Sequence, residues 1–130
     1  MQSNIKHSRQ RDAILNLLRQ RYDHPTAEQI YTDLKTDFPK LSLGTVYRNL
    51  SLLENLGQIL RISAAGACER YDGNPGEHYH FVCENCGSVD DVDVPVDIKI
   101  NTEAELATGG TVSKHSTLFF GTCKKCIKNT

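Results

Sequence analysis

Glu77-His-Tyr-His-Phe-Val-Cys-Glu-Asn-Cys86 carries two metal-ligand patterns in ten residues. His78 and His80 are two apart, so in a strand both imidazoles point to the same face. Cys83 and Cys86 form a CxxC, whose turn aims two thiolates at one ion. Near the end of the chain Cys123 and Cys126 repeat that spacing. Paired CxxC motifs match a tetrahedral four-thiolate zinc site. Four soft ligands leave no open position, so zinc on Cys83, Cys86, Cys123 and Cys126 is expected to be structural. It would pin the last strand to the first hairpin of the C-terminal half. Two unrelated cysteine pairs in turns are the plainer alternative.

A second constellation mixes imidazoles with carboxylates: His24, Asp72, His78, His80 and either Asp90 or Asp91. Such donors suit divalent iron, manganese or zinc. Taken singly, these are ordinary surface histidines and turn or edge acids. Taken together, they would join the two halves of the chain through one ion. Binding would then set the angle between the halves, because only the closed arrangement offers every ligand.

The N-terminal half reads as helices. Ser8 is an N-cap, and Ala13, Ile14, Leu17 and Leu18 form an apolar stripe. His24-Pro25 breaks the pattern. Thr26 with Gln29 forms a capping box for a second helix ending near Phe38-Pro39. Ser42 caps a third, in which Val46, Leu50, Leu53 and Leu56 recur at helical spacing and Gly57 provides the stop. Thr45, Arg48 and Asn49 fall on its other face. Two short helices with hydroxyl, guanidinium and amide groups on the second follow helix-turn-helix logic. Gln58–Ser63 and Cys68–Asp72 are expected as strands around a small loop at 64–67. A hairpin after a recognition helix is a wing, and Arg61 would reach phosphate from it.

Asp72-Gly-Asn-Pro-Gly76 is dense in turn formers and marks the boundary. We expect domains at 1–72 and 77–130, with 73–76 as a hinge. Beyond it, His78–Val82 and Ser88–Val94 read as strands, Glu103-Ala-Glu-Leu-Ala favours a helix, and Thr111–Gly121 alternates like a strand.

A chain of 130 residues makes one domain or two small ones, and small cores benefit from a metal. The polar, basic start does not resemble a signal peptide, and no apolar run approaches membrane length. A cytoplasmic protein is expected, where thiols stay reduced and bind metal. The net charge of −1 conceals an asymmetry. Residues 1–62 carry nine Lys and Arg against six Asp and Glu, whereas residues 63–130 carry six against ten. A basic front and an acidic, metal-ligating back suggest a nucleic-acid end and a metal end.

The sequence resembles the ferric uptake regulator (Fur) superfamily. His24-Pro-Thr-Ala, Thr45-Val-Tyr-Arg-Asn-Leu, His78-Tyr-His-Phe-Val-Cys-Glu-Asn-Cys-Gly87 and Cys123-Lys-Lys-Cys126 carry the resemblance, in the family's order. It implies an α+β protein with an N-terminal winged helix-turn-helix DNA-binding domain and a small C-terminal α/β dimerisation domain. It also implies structural Zn2+ on the four cysteines and a homodimer that binds palindromic double-stranded operators when metallated. Thr45, Tyr47, Arg48 and Asn49 of the second motif, with Arg61 on the wing, are the expected DNA contacts.

Within the superfamily the pattern is most similar to the peroxide-sensing branch. There three histidines and two aspartates hold regulatory Fe2+ or Mn2+, and they match His24, Asp72, His78, His80 and Asp91. Iron-uptake regulators tend to carry Glu where Asp72 stands. The resemblance implies a repressor that senses hydrogen peroxide by iron-catalysed oxidation of His24 or His78, a sensor and not a turnover enzyme. An iron- or zinc-responsive uptake regulator of the same superfamily is the alternative. The stretch before Ser8 is shorter than is usual in the family. Cys68 is additional, near a point where zinc-sensing relatives recruit a cysteine. His115 matches a place where some relatives have a further metal site, but with few partners near it, it reads as a strand histidine.

Two readings from other classes account for less of the sequence. A metal-dependent enzyme lacks a visible nucleophile–base pair and leaves the winged helix unexplained. A zinc-ribbon interaction module leaves the His/Asp set idle and predicts one metal per chain instead of two.

Overall fold

The computed structural model describes residues 8–63, 68–76 and 78–128. It divides into two compact units, Met1–Pro75 and Gly76–Thr130. Each is described by itself.

In the first unit the caps start the helices where local chemistry places them. The Ser8 hydroxyl accepts from the Arg11 N–H, and α1 runs Arg9–Arg19. Thr26 and Gln29 exchange side-chain and backbone bonds in a full capping box before α2, Ala27–Lys35. Ser42 accepts from the Thr45 N–H to open α3, Leu43–Asn55. Gly57, at φ 73°, takes the left-handed turn that ends it. The apolar stripes meet in one core: Ile14 and Leu18 of α1, Ile30 and Leu34 of α2, and Val46, Leu50 and Leu53 of α3 are all buried. A short antiparallel hairpin follows, β1 (Leu60–Ile62) and β2 (Arg70–Asp72). Both strands are shorter than their sequence patterns suggested, and the loop expected at 64–67 lies outside the described residues.

Gly73 is pressed onto α1. A Cβ there would sit 2.6 Å from the Leu18 carbonyl carbon and 2.7 Å from the Arg19 nitrogen. Both are backbone atoms that cannot swing away. Gly73→Ala is expected to destabilise the first unit by about 1–3 kcal/mol, the usual cost of overpacking. A urea melt followed by helix ellipticity checks this, and an unchanged midpoint contradicts it.

The second unit is a three-stranded sheet in the order β4-β3-β5. Strand β3 (Tyr79–Cys83) pairs antiparallel with β4 (Val89–Val92) and parallel with β5 (Leu118–Gly121). Helix α4 (Lys99–Thr108) lies between β4 and β5 in sequence. Two expectations are corrected here. The strand expected over Thr111–Gly121 forms only at 118–121. The Val112 N–H is taken by the Glu105 carboxylate of α4, 2.8 Å away, so that backbone does not join the sheet. His115 is therefore not a strand residue. The second CxxC also winds into a short helix, α5 (Lys124–Lys128), that its spacing did not announce. Ile127 N–H donates to the Cys123 carbonyl at 2.9 Å, closing the turn.

Among the described residues of this unit, Tyr79, Val82 and Val89 are the buried apolar side chains besides Cys83 and Cys126. No residue of α4 is buried. That core is too thin to hold a fold by apolar burial alone. No helix among the described residues is long and apolar enough to cross a membrane.

Candidate metal centres and nucleic-acid face

The four cysteines converge. Cys83 Sγ lies 3.8 Å from Cys126 Sγ, and Cys86 Sγ lies 3.8 Å from Cys123 Sγ. One sulfur from each residue falls within 4.8 Å of all the others. A tetrahedron with arms of ~2.3 Å, the zinc–sulfur distance, has edges of ~3.8 Å. The cluster therefore has the dimensions of a zinc–thiolate site as well as its ligands.

Its electrostatics agree. Backbone N–H groups of Cys86 and Cys123 point at Cys83 Sγ from 3.4 and 3.3 Å, and they hold that thiol down at about 6. Cys83 is thus a ready thiolate near neutral pH. At Cys126 the Asn85 side chain pulls down, but the Cys123 thiol, burial and the remaining thiols push up, to about 11. Four crowded thiols cannot all ionise by themselves, and a dication resolves that conflict.

The imidazole and carboxylate ligands form two groups, one in each unit. In the first unit, His24 Nε2 is 3.3 Å from Asp72 Oδ2, and both side chains are buried. Asp72 Oδ1 accepts from the Asn74 N–H at 2.9 Å, which leaves Oδ2 aimed at the imidazole. His24 has φ 54°, the positive-φ non-glycine residue of the described chain. Such a backbone costs about 1–3 kcal/mol and persists where the surroundings enforce it. Here Arg70 donates to the His24 carbonyl at 3.0 Å, and the Tyr71 N–H donates to the Pro25 carbonyl at 3.0 Å. Strand β2 thus clamps the His24-Pro25 peptide while presenting Asp72 at its own end. Nothing in the local sequence marked Arg70 for this role.

In the second unit, β3 and β4 place His80 opposite Asp91 in register. Asp91 Oδ1 sits 3.0 Å from His78 Nε2 and 3.3 Å from His80 Nε2, and the two rings lie 4.4 Å apart. Adjacent ligands at right angles on arms of ~2.1 Å are ~3.0 Å apart, so this group fits one vertex set of a small divalent ion. The His/Asp donors suit Fe2+ or Mn2+, whereas the thiolate cluster suits Zn2+. Asp90 points to the opposite face from Asp91, as strand alternation requires.

The outer face of α3 carries a short polar chain. Ser42 Oγ and Thr45 Oγ1 are 2.9 Å apart, and an Arg48 guanidinium N–H donates to Thr45 Oγ1 at 2.9 Å. Tyr47 and Arg48 are exposed. Asn49 is half-buried and spends its amide on the Thr45 carbonyl at 3.0 Å. Arg61 stands between Glu54 and Glu69, each 3.4 Å away.

Residues 2–120 match the model of the ferric uptake regulator family. The chain belongs to that family. Membership makes it a metal-dependent regulator of transcription. This family member is 36% identical over 125 residues to the peroxide-responsive repressor PerR of Staphylococcus aureus, covering 96% of this chain and 84% of that protein. A peroxide stress regulator from Campylobacter jejuni shares its structure with a TM-score of 0.74 at 31% identity, over 90% of this chain and 88% of that one. The Helicobacter pylori ferric uptake regulator, described as having three functional metal-binding sites, superimposes with a TM-score of 0.82 over 97% of this chain and 85% of that one. At 24% identity it speaks for the fold alone.

Proposed function

We propose that this chain is a peroxide-responsive repressor in which one Fe2+ or Mn2+ is shared by His24, Asp72, His78, His80 and Asp91. The observation that carries the reading is the ligand inventory: each unit presents an imidazole–carboxylate group, and neither group alone fills a coordination sphere. His78 is only six residues after Asp72. At most ~3.5 Å per residue, that span keeps the Cα atoms of Asp72 and His78 within ~21 Å of each other in any conformation. Residues 73–76 act as the hinge between a DNA-binding domain, 1–72, and a dimerisation domain, 77–130.

Fe2+ held by these side chains would activate hydrogen peroxide, so that one peroxide oxygen ends on a carbon of an adjacent imidazole and the other leaves as water, the imidazole losing the two electrons. His24 and His78 are the residues we expect to be modified. An oxidised imidazole no longer donates, so the two groups part and the DNA-binding geometry is lost. The protein is consumed as a sensor and does not turn over.

Two copies bind a palindromic operator, each laying α3 in the major groove. Thr45, Tyr47 and Arg48 lie on the exposed face for this, and Asn49 must first leave the Thr45 carbonyl. Arg61 reaches phosphate in competition with Glu54 and Glu69. The second unit provides the contact between copies. Phe119 and Phe120 on the edge strand β5 are exposed, as are Ile98 and, on α4, Ile100 and Leu106. An unpaired apolar edge is the surface a second copy covers. Four reduced thiols agree with a cytoplasmic setting.

Mass spectrometry of the Fe2+-loaded protein after micromolar peroxide, with Mn2+ and anaerobic controls, tests the reading. One added oxygen on His24 or His78, in the iron form only and with loss of operator binding, is expected. No adduct, with DNA binding that follows iron or zinc supply, makes the chain an uptake regulator instead and directs attention to the exposed Cys68.

A further inference from the structure

His115 lies far from the ligand groups in sequence, yet it is built into the underside of the strand that carries His80 and directly follows His78. Its Nδ1 is 2.6 Å from Asn101 Oδ1, and its Nε2 is 2.9 Å from the Tyr79 hydroxyl. With the amide oxygen facing the ring, Nδ1 carries the proton and Nε2 accepts from Tyr79. The same hydroxyl accepts from the Asp97 N–H at 2.9 Å. Asp97 in turn takes the Lys99 N–H on its carboxylate at 3.1 Å, at the start of α4. Both ring nitrogens of His115 are therefore committed to hydrogen bonds. Among the described residues it joins no group of three side chains able to hold a metal.

The consequence falls on β3. Side chains alternate across a strand, so Tyr79 lies on one face, and His78 and His80 flank it on the other. The Tyr79 ring is buried and meets Phe119 of β5 edge-on, with centroids 5.8 Å apart. Packing holds the ring in place, and the hydroxyl bonds fix its direction. A small rotation of β3 about its axis would carry both imidazoles away from Asp91.

We propose that His115 is a positioning residue: through Tyr79 and Asn101 it sets the rotation of β3 so that His78 and His80 both face Asp91, and it takes no metal itself. This rests on the reading of the His/Asp set as a regulatory site. Outer partners of metal ligands typically change affinity 10–100-fold, and this network acts one step further out, so we expect a loss of ~10-fold.

The test titrates Mn2+ into full-length, zinc-loaded wild type, Tyr79→Phe and His115→Ala, and records the visible spectrum of Co2+ at the same site. The phenylalanine removes one oxygen atom and keeps the packing. Expected are two ions per chain in all three proteins, Mn2+ affinity weakened ~10-fold in both variants, and altered Co2+ bands, with zinc content retained. Loss of the second ion's stoichiometry in His115→Ala would make His115 a ligand and overturn the proposal. Unchanged affinity and spectrum in both variants, or a fall in melting temperature alone, overturns it too. Wild type that takes no second ion defeats the regulatory reading itself, a result distinct from variants that match a metal-binding wild type.

Discussion

Replacing Cys123 with serine should empty the zinc site and unfold the second unit while the first stays folded. The reason is the size of the terms on each side. Structural zinc contributes about 10–16 kcal/mol in small domains, comparable with or larger than the whole stability of most domains. The apolar core it supplements here consists of Tyr79, Val82 and Val89, with two of the cysteines themselves. Cys123 is paired with Cys86 across the cluster at 3.8 Å, and its own backbone N–H supports the Cys83 thiolate. Serine keeps that N–H but offers a hydroxyl that does not ionise near neutral pH and is a poor match for a soft site. Zinc content measured by atomic absorption should fall to nil. Amide resonances of 78–128 should collapse, and those of the first unit should persist, because its helices pack into a core of their own. A zinc-free variant with an intact second unit would sink the assignment of the cluster as structural.

Asp91→Ala should abolish regulatory metal binding and leave zinc in place. A single carboxylate oxygen, Oδ1, lies 3.0 Å from one imidazole and 3.3 Å from the other, so this residue, a ligand in the proposed site, also holds the two rings together. Removing a ligand costs more than the 10–100-fold typical of an outer partner, so Mn2+ affinity should drop by more than ~100-fold. Operator binding should become indifferent to Mn2+, and the peroxide adduct on histidine should vanish. Asp90→Ala is the matched control. It removes the same charge one residue away, on the opposite face of β4, and should leave Mn2+ affinity nearly intact. Isothermal titration of the pair decides the matter. Equal losses in both would mean that local charge, and not ligation, governs the site.

The two cysteine pairs and the histidine pair were legible because their chemistry is written in short spacings. CxxC and His-x-His convert directly into shared faces and turns. The three helix starts were legible for a similar reason. Ser8, Thr26 and Ser42 each act on a backbone N–H three residues on, so the capping interaction is contained in the local sequence. The expected strand over 111–121 was misread because its period-2 pattern is real, but Glu105 of α4 claims a backbone donor in it. A side chain from another element outweighed the local preference.

What the sequence determined by itself was the family, the helical first half, and the two CxxC pairs as candidate zinc ligands. The helices and each CxxC rest on residues a few positions apart. Tertiary structure gave the physical reason why Asp91, the aspartate the family match pointed to, and not Asp90 meets the imidazoles, since the phase of β4 comes from pairing with β3. It also decided that Gly73 lies against α1, that Arg70 clamps the left-handed His24 across 46 residues, and that His115 is tied to Asn101 and Tyr79. Each joins elements distant in sequence, and no propensity or spacing encodes which distant partner a side chain will reach once the core has set the positions of the strands and helices.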